Sequence, residues 1–160
     1  MNGTAKTPEY GLARGIYAIE RRHRKFMTFA LEKTDVTGTT YSYIITIKRN
    51  SGLNQDILAY IHGVDKSRAA RVVRDLEKSG YILREFVPDN RRQNMLFLTK
   101  AGEDLYELIM EKNVEWEILM SEGIERGCIS TTVETINKIM ENLDGPSGSA
   151  WNFRKKKDSI

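Results

Sequence analysis

Apolar residues along this chain recur mostly every three or four positions, the spacing that places them on one face of an α-helix. The pattern predicts helices over about 11–32, 40–50, 100–122 and 131–143, and a pair of helices between Asn54 and Gly80. The stretch after Gly80 departs from it, because residues there are rich in β-branched and aromatic types. The expected fold class is mainly α with a small β wing of two or three strands.

The helix pair is the most informative segment. Asn54 and Asp65 suit the N-cap positions of its two helices, since each side chain can accept a hydrogen bond from a first-turn amide. Gly63 supplies the positive φ that a tight turn between helices often needs, and Gly80 ends the second helix. The positions expected to be buried are Ile57, Leu58 and Ile61 in the first helix, and Ala69, Val72, Val73 and Leu76 in the second.

A β-hairpin is predicted directly after the pair. Strands over 81–87 and 94–98 flank a polar turn at 88–92, Pro-Asp-Asn-Arg-Arg. Arg91 and Arg92 give this turn a positive charge. The hairpin therefore resembles a wing with a cationic tip, where Arg91 and Arg92 are candidates to bind a DNA minor groove. The alternative is a charged tip that only prevents edge-to-edge pairing.

The C-terminal third is predicted to be helical. Thr99 suits the N-cap of the helix over 100–122, and Gly123 and Gly127 interrupt the pattern after it. Thr131 and Glu134 fit a capping box at the start of the last helix. Together with the first helix, these segments carry more apolar surface than one small winged domain can cover, which favours burial between two copies of the chain.

Composition limits the class of protein. The chain has 160 residues, of which 40% are hydrophobic and 29% charged, as is typical of a globular protein. No apolar run approaches the roughly 20 residues of a membrane helix and the N-terminus lacks a signal-peptide core, so a cytoplasmic protein with no membrane partner is expected. One cysteine and two histidines make a metal site unexpected. We find no phosphate-binding loop or nucleophile elbow, and so expect no cofactor and no enzymatic activity.

Positive charge is concentrated on the second helix of the pair. The net charge is only +3, but residues 66–78 hold five basic side chains against two acidic ones. A rigid helix pair that presents one cationic helix outward suits the DNA major groove, where arginine can donate two hydrogen bonds to guanine. The alternative is a solvated helix face, some of whose basic side chains pair with Asp75 or Glu77. The candidate DNA-binding residues on this face are Ser67, Arg68, Arg71, Arg74 and Lys78.

Three motifs lie at fixed spacing between residues 53 and 102. They are Leu58-Ala59 followed by Val64-Asp65-Lys66-Ser67, then Leu76-Glu77-Lys78-Ser79-Gly80-Tyr81-Ile82, and finally Leu98-Thr99-Lys100-Ala101-Gly102. Together they resemble the "LA…VDKS", "LExxGYI" and "LTxxG" motifs of the MarR family of winged helix-turn-helix transcription regulators. The resemblance extends over about residues 12–143.

The resemblance implies a homodimer built by the terminal helices, with recognition helices in successive major grooves of double-stranded DNA and wing tips in the flanking minor grooves. It implies base or phosphate contacts by Ser67, Arg68 and Arg71, and a wing-tip contact by Arg92. Asn90 stands where the family has an aspartate, and Ala70 where it often has Ser or Thr. The expected function is that of a repressor that binds a palindromic operator and is released by a small molecule or another signal.

The domain division expected on this basis has four parts. Residues 1–37 form an N-terminal arm and dimerisation helix, and 38–99 the winged helix-turn-helix domain. Residues 100–144 form the C-terminal dimerisation helices, and 145–160 a flexible basic tail. A winged helix can also be a protein–protein interaction module without specific DNA binding; steeply salt-dependent DNA binding would distinguish the two.

The resemblance also implies a small-molecule pocket between the dimerisation and DNA-binding parts, with an aromatic or phenolic ligand as its candidate occupant. Aromatic residues at helical spacing suit a simple core equally well. Cys128 has two interpretations as well: a redox switch, with its thiol pKa lowered by Arg126, or a buried packing residue. The candidate pocket residues are Tyr17, Tyr41, Tyr43 and Trp116.

Overall fold

A computed structural model describes residues 11–87 and 90–144, and only the backbone of 86, 87 and 90–93. Within this part the chain forms six helices and one two-stranded antiparallel sheet, which confirms the expected fold class. The arm before residue 11 and the tail after residue 144 lie outside the described residues. The elements are α1 (Gly11–Ala30), α2 (Tyr41–Arg49), α3 (Gln55–Ile61), α4 (Lys66–Lys78), β1 (Ile82–Val87), β2 (Asn90–Leu98), α5 (Lys100–Ser121) and α6 (Arg126–Asp144).

The chain divides into two compact units, Met1–Trp116 and Glu117–Ile160. The first unit holds the hydrophobic core, to which α1 to α5 and both strands contribute. In the second unit none of the described residues, 117–144, is buried. None of the described helices has the length and apolar character needed to cross a membrane. The central core residues are Met27, Tyr43, Ile44, Ile47, Leu58, Val73, Leu76, Ile82, Leu96 and Ile109.

The predicted caps of the helix pair are confirmed. The Asn54 side chain accepts a hydrogen bond from the Ile57 amide at 2.9 Å, and the Asp65 side chain accepts one from the Arg68 amide at 2.8 Å. Gly63 has φ +60°, a left-handed conformation that glycine adopts without strain. The turn between α3 and α4 is therefore specified locally, by the residue types that the sequence places there.

The predicted buried face of α3 was wrong. Leu58 is fully buried, but Ile57 and Ile61 each remain 48% exposed. His62, four residues after Leu58, stacks on Tyr43 of α2, with ring centroids 3.8 Å apart. Because residues four apart share a helix face, packing Leu58 and His62 toward α2 turns Ile57 and Ile61 away from it. A helix of seven residues is too short for its periodicity to fix this rotation.

The wing is longer on its return strand than predicted. Residues 90–92 belong to β2 rather than to the turn, and the register runs from Ile82↔Leu98 to Val87↔Asn90, with an irregularity between Phe86 and Val87. On its other side, β2 pairs with the segment before α3: the Gly52 amide donates to the Leu96 carbonyl, and the Leu96 amide to the Leu53 carbonyl, both at 3.0 Å. This contact includes a bridge between Asn54 and Met95. At the base of the wing, β2 is thus hydrogen-bonded along both of its edges.

Thr99 joins α4, the wing and α5. Its hydroxyl donates to the Gly80 carbonyl at 2.6 Å and accepts from the Gly102 amide at 3.1 Å, which confirms the predicted N-cap. Its own amide donates to the Tyr81 carbonyl at 3.0 Å. Gly102 lies so close to this turn that a Cβ there would be 2.0 Å from the Tyr81 oxygen. The turn after α4 and the start of α5 are therefore in direct contact.

The predicted start of the last helix was wrong. Gly123, with φ +72°, ends the turn after α5, but α6 already begins at Arg126 and contains Gly127. Thr131 therefore lies inside the helix rather than at its N-cap. Threonines are tolerated there because their hydroxyls donate to the carbonyl four residues earlier, as Thr132 does to Cys128 and Thr135 does to Thr131.

The close approach at Gly102 gives a test of the fold. We expect Gly102→Ala to lower the free energy of unfolding by about 1–3 kcal/mol or more, because backbone must shift to make room for the methyl group. Gly127→Ala is the matched control: it is also a helical glycine, but a Cβ there would meet only the Glu125 carboxylate at 3.9 Å. This change should stabilise the helix by about 0.5–1 kcal/mol. Urea denaturation of both variants measures the difference, and equal effects would contradict the packing.

Candidate nucleic-acid interface

The exposed face of α4 carries the predicted DNA-binding residues. Ala69 and Val73 are fully buried and Leu76 nearly so, which fixes the rotation of the helix. With 3.6 residues per turn, positions 67, 71, 74 and 78 share one face, and position 68 lies beside its N-terminal end. The structure brings all five predicted side chains of α4 to the surface: Ser67, Arg68, Arg71, Arg74 and Lys78.

The acidic residues around this face are largely engaged elsewhere. Asp65 caps α4, and Asp56 pairs with Lys66 at 2.7 Å. Glu77 accepts from Nε of Arg84 on β1 at 2.9 Å, not from an arginine of its own helix. Pairing within the helix, which the alternative interpretation assigned to some of these residues, is not what the structure shows; a solvated face without such pairs is still the alternative to DNA binding. Among the described residues, no ion pair engages Arg68, Arg71, Arg74 or Lys78.

The wing-tip residues are placed only in part. The backbone of Arg91 and Arg92 belongs to β2, and their side chains lie outside the described residues. Sequence reasoning missed Arg84, whose side chain is only 22% exposed. Strand alternation contained the signal, because Arg84 shares a face of β1 with the buried Ile82.

His62, at the end of α3, contacts α2 through its stack on Tyr43 and a hydrogen bond with Thr46. The Thr46 hydroxyl donates to the Ser42 carbonyl at 3.0 Å, so His62 must donate its Nε2 proton to the Thr46 oxygen, also at 3.0 Å. Burial lowers the pKa of His62. Burial also raises the pKa of Tyr43, on which the charges of Arg68 and Asp65 act in opposite directions.

The four candidate pocket residues do not converge on one cavity. Tyr43 is a core residue and Tyr17 is 72% exposed. Tyr41 and Trp116 both contact His23 of α1, with ring centroids 5.9 and 5.0 Å from the imidazole. The Nε2 atom of His23 is buried and has no hydrogen-bond partner among the described residues. Tyr41 and Trp116 thus border a polar atom that a ligand could satisfy.

A separate groove lies between the end of α1 and α5. Its cavity volume is about 360 Å³, and none of the four candidate residues lines it. Phe26, Phe29 and Leu108 give it apolar walls, and Lys112 lies at its edge. Lys112 is itself paired with Glu111 and Glu115. Sequence reasoning missed this groove because its walls come from two helices about 80 residues apart.

Cys128 and clusters of metal-binding side chains are the other places where chemistry could occur. Cys128 is exposed on α6, so the interpretation as a buried packing residue was wrong. Within residues 11–87 and 90–144, no group of three His, Cys, Asp or Glu residues could hold a metal ion. The exposed cationic face of α4 is therefore the candidate functional site.

Those comparisons agree with one another. Residues 36–93 match the sequence model of the MarR family. Over 146 residues, 91% of this chain and 94% of the relative, the sequence is 28% identical to the uncharacterised HTH-type transcriptional regulator YybA of Bacillus subtilis (strain 168). The crystal structure of a MarR protein superposes with a TM-score of 0.75 at 31% identity, covering 89% of this chain and 95% of the other.

The chain belongs to the MarR family. It is a transcriptional regulator and not an enzyme. A further structure, of a MarR-family regulator from Listeria monocytogenes complexed with a 26mer DNA, is similar with a TM-score of 0.73 at 26% identity, covering 82% of this chain and 88% of that one. The family assignment thus agrees with the resemblance drawn from the three motifs.

His62 makes the stability of this MarR-family fold depend on pH. Its folded-state pKa lies below the ordinary value of 6.5, so its contribution to stability is complete above that pH and is lost as the pH falls toward the folded-state value. His62→Phe keeps a ring to stack on Tyr43 but cannot titrate. We expect this variant to lose less free energy of unfolding than the wild type between about pH 7.5 and 5.5 in urea denaturation. Identical losses would show that His62 is not the titrating group.

Proposed function

We propose that this protein is a sequence-specific DNA-binding regulator that places α4 in the major groove. The observation that carries the proposal is the row of exposed cations on α4 without ion-pair partners among the described residues. An unpaired arginine keeps its planar fork available for guanine O6 and N7 or for phosphate. With 13 residues, α4 is about 20 Å long, enough to cross a major groove about 12 Å wide.

In this proposal the residues of α4 have different tasks. Ser67, Arg68 and Arg71 lie toward the N-terminal end, the part of a recognition helix that usually contacts base edges. Arg74 and Lys78 follow on the same face and would contact phosphates. Arg91 and Arg92 would bind the minor groove, since the wing is fixed to the same core as α4.

We further propose that the protein binds a palindromic operator as a homodimer. On α6, Val133, Ile136, Met140 and Leu143 are exposed at intervals of three, four and three residues, the pattern of a coiled-coil seam. A helix of 19 residues without a single buried side chain needs such a partner surface. In the first unit, Leu12, Ile16 and Ile19 of α1 form a similar exposed stripe. A twofold pair would place two recognition helices about 34–36 Å apart, one turn of DNA.

Release by a small molecule is the last part of the proposal. The site we favour is bordered by Tyr41 and Trp116, where His23 has a buried nitrogen without a partner. An aromatic or phenolic ligand could stack on these rings and bond this nitrogen. It would release a repressor if it bound more tightly to a conformation whose recognition helices do not match the operator spacing.

Replacement of Arg71 tests the DNA-binding face. The probe is the duplex that the wild-type protein enriches from a random pool, and we expect Arg71→Ala to weaken binding to it roughly tenfold or more, because a bidentate contact is worth about 1–3 kcal/mol. Fluorescence anisotropy at several salt concentrations measures affinity and its salt dependence together.

The matched control for Arg71 is Lys138→Ala, which removes an exposed cation from α6. It should leave the affinity within about twofold, as surface changes away from an interface usually do. If the wild type shows no salt-dependent binding to any duplex, the protein–protein interaction module becomes the better explanation.

Replacement of Ile136 tests the dimer. A lysine there would place a charge in the apolar seam, so we expect Ile136→Lys to be monomeric in sedimentation velocity and to bind the operator far more weakly. Thr131→Lys adds the same charge on a different face of α6 and should remain dimeric. A monomeric wild-type protein would remove both the dimer and the palindromic operator.

A further inference from the structure

The ion pair between Arg84 and Glu77 connects the proposed recognition helix to the wing. Arg84 is the third residue of β1, and Glu77 lies in the last turn of α4. The side chains are 22% and 39% exposed, so this pair is better shielded from water than those that join Lys66 to Asp56 or Lys100 to Asp104. An ion pair with reduced access to water holds its geometry better than an exposed one.

The base of the connection between α4 and β1 is held by the shared core, to which Leu76 and Ile82 belong, and by the turn between them. Three residues, Ser79 to Tyr81, make the turn, and their amides bond carbonyls of the last turn of α4. These bonds fix where β1 begins. Beyond this turn, Arg84–Glu77 is the one ion pair between α4 and β1 among the described residues.

The length of the wing gives this pair mechanical importance. The end of β1 lies three residues beyond Arg84, which is about 10 Å at the rise of a β-strand. A rotation of the wing by about 15° at Arg84 would displace its end by about 2.5 Å, more than the tolerance of a hydrogen bond. The wing tip and α4 can therefore contact one duplex together only if their relative orientation is held.

Arg84 is poorly suited to bind DNA itself. Its Nε–H is donated to Glu77, and its side chain is mostly covered. The pair also keeps the Glu77 carboxylate from Arg74, which lies three residues earlier on the same helix and could otherwise pair with it.

We infer that Arg84 and Glu77 are positioning residues, which set the angle between the wing and α4 and do not contact the duplex. This inference rests on the proposed function. It assigns a role to a basic residue of the wing other than the phosphate contact that its charge alone would suggest.

Three variants test the inference with the selected duplex as probe. Arg84→Met keeps the apolar stem of the side chain and removes the donor, and Glu77→Gln removes the charge of the acceptor. We expect each to weaken binding about tenfold in the wild-type background. In an Arg92→Ala background each should leave the slope of log affinity against log salt unchanged, because Arg84 and Glu77 make no phosphate contact of their own. The double exchange Glu77→Arg with Arg84→Glu should restore most of the affinity. Lys100→Met, which breaks an exposed pair on α5, is the control and should change affinity by less than about twofold.

A double-mutant cycle tests whether the loss of DNA affinity depends on the wing tip. If Arg84 acts through the wing tip, Arg84→Met should cost much less in an Arg92→Ala background than in the wild type. Additive losses, a salt slope that falls by about one when Arg84→Met is added to Arg92→Ala, or unchanged affinity in both single variants would each overturn the inference. Thermal denaturation shows whether Arg84→Met is folded, and Glu77→Gln carries the test if it is not. If the wild type does not bind DNA, the proposed function fails and the inference fails with it; every other outcome concerns the inference alone.

Discussion

The hydrogen bonds of Thr99 hold together the parts of this molecule whose relative placement matters most. One hydroxyl bonds Gly80, in the turn after α4, and Gly102, in the first turn of α5, and the adjacent amide bonds Tyr81 at the base of the wing. The missing side chain of Gly102 permits this approach. Since the cationic helix, the wing and the long helix α5 meet at one point, a shift in any of them must be transmitted to the other two or absorbed as strain.

Electrostatic pairing divides the charged residues of the first unit into two groups. Near α4, Asp56, Asp65 and Glu77 are committed to a cap or to a cation on another element, while the exposed arginines of α4 have no ion-pair partner among the described residues. This arrangement keeps positive potential on one face although the net charge of the chain is only +3. The distribution of ion pairs, rather than the number of basic residues, makes the surface suitable for a polyanion.

Features that depend on neighbours in the sequence were predicted well. Asn54, Asp65 and Thr99 cap the helices they were expected to cap, and Ala69, Val73 and Leu76 form the buried stripe of α4. Features that depend on distant residues were not. The rotation of α3 is set by the contact of His62 with Tyr43. One local prediction also failed: α6 begins five residues before its predicted capping box, because Gly123 already completes the turn.

The sequence by itself determined the helix-turn-helix and the exposed cationic face of α4, because caps, turn glycines and helical periodicity act over a few residues. Its three motifs also carried the resemblance to the MarR family. Only the tertiary structure decided that Glu77 pairs with Arg84 instead of Arg74, and that Tyr41 and Trp116 meet at His23. The reason is physical: each of these contacts joins separate elements, and their approach is fixed by how the shared core packs, which no local pattern encodes.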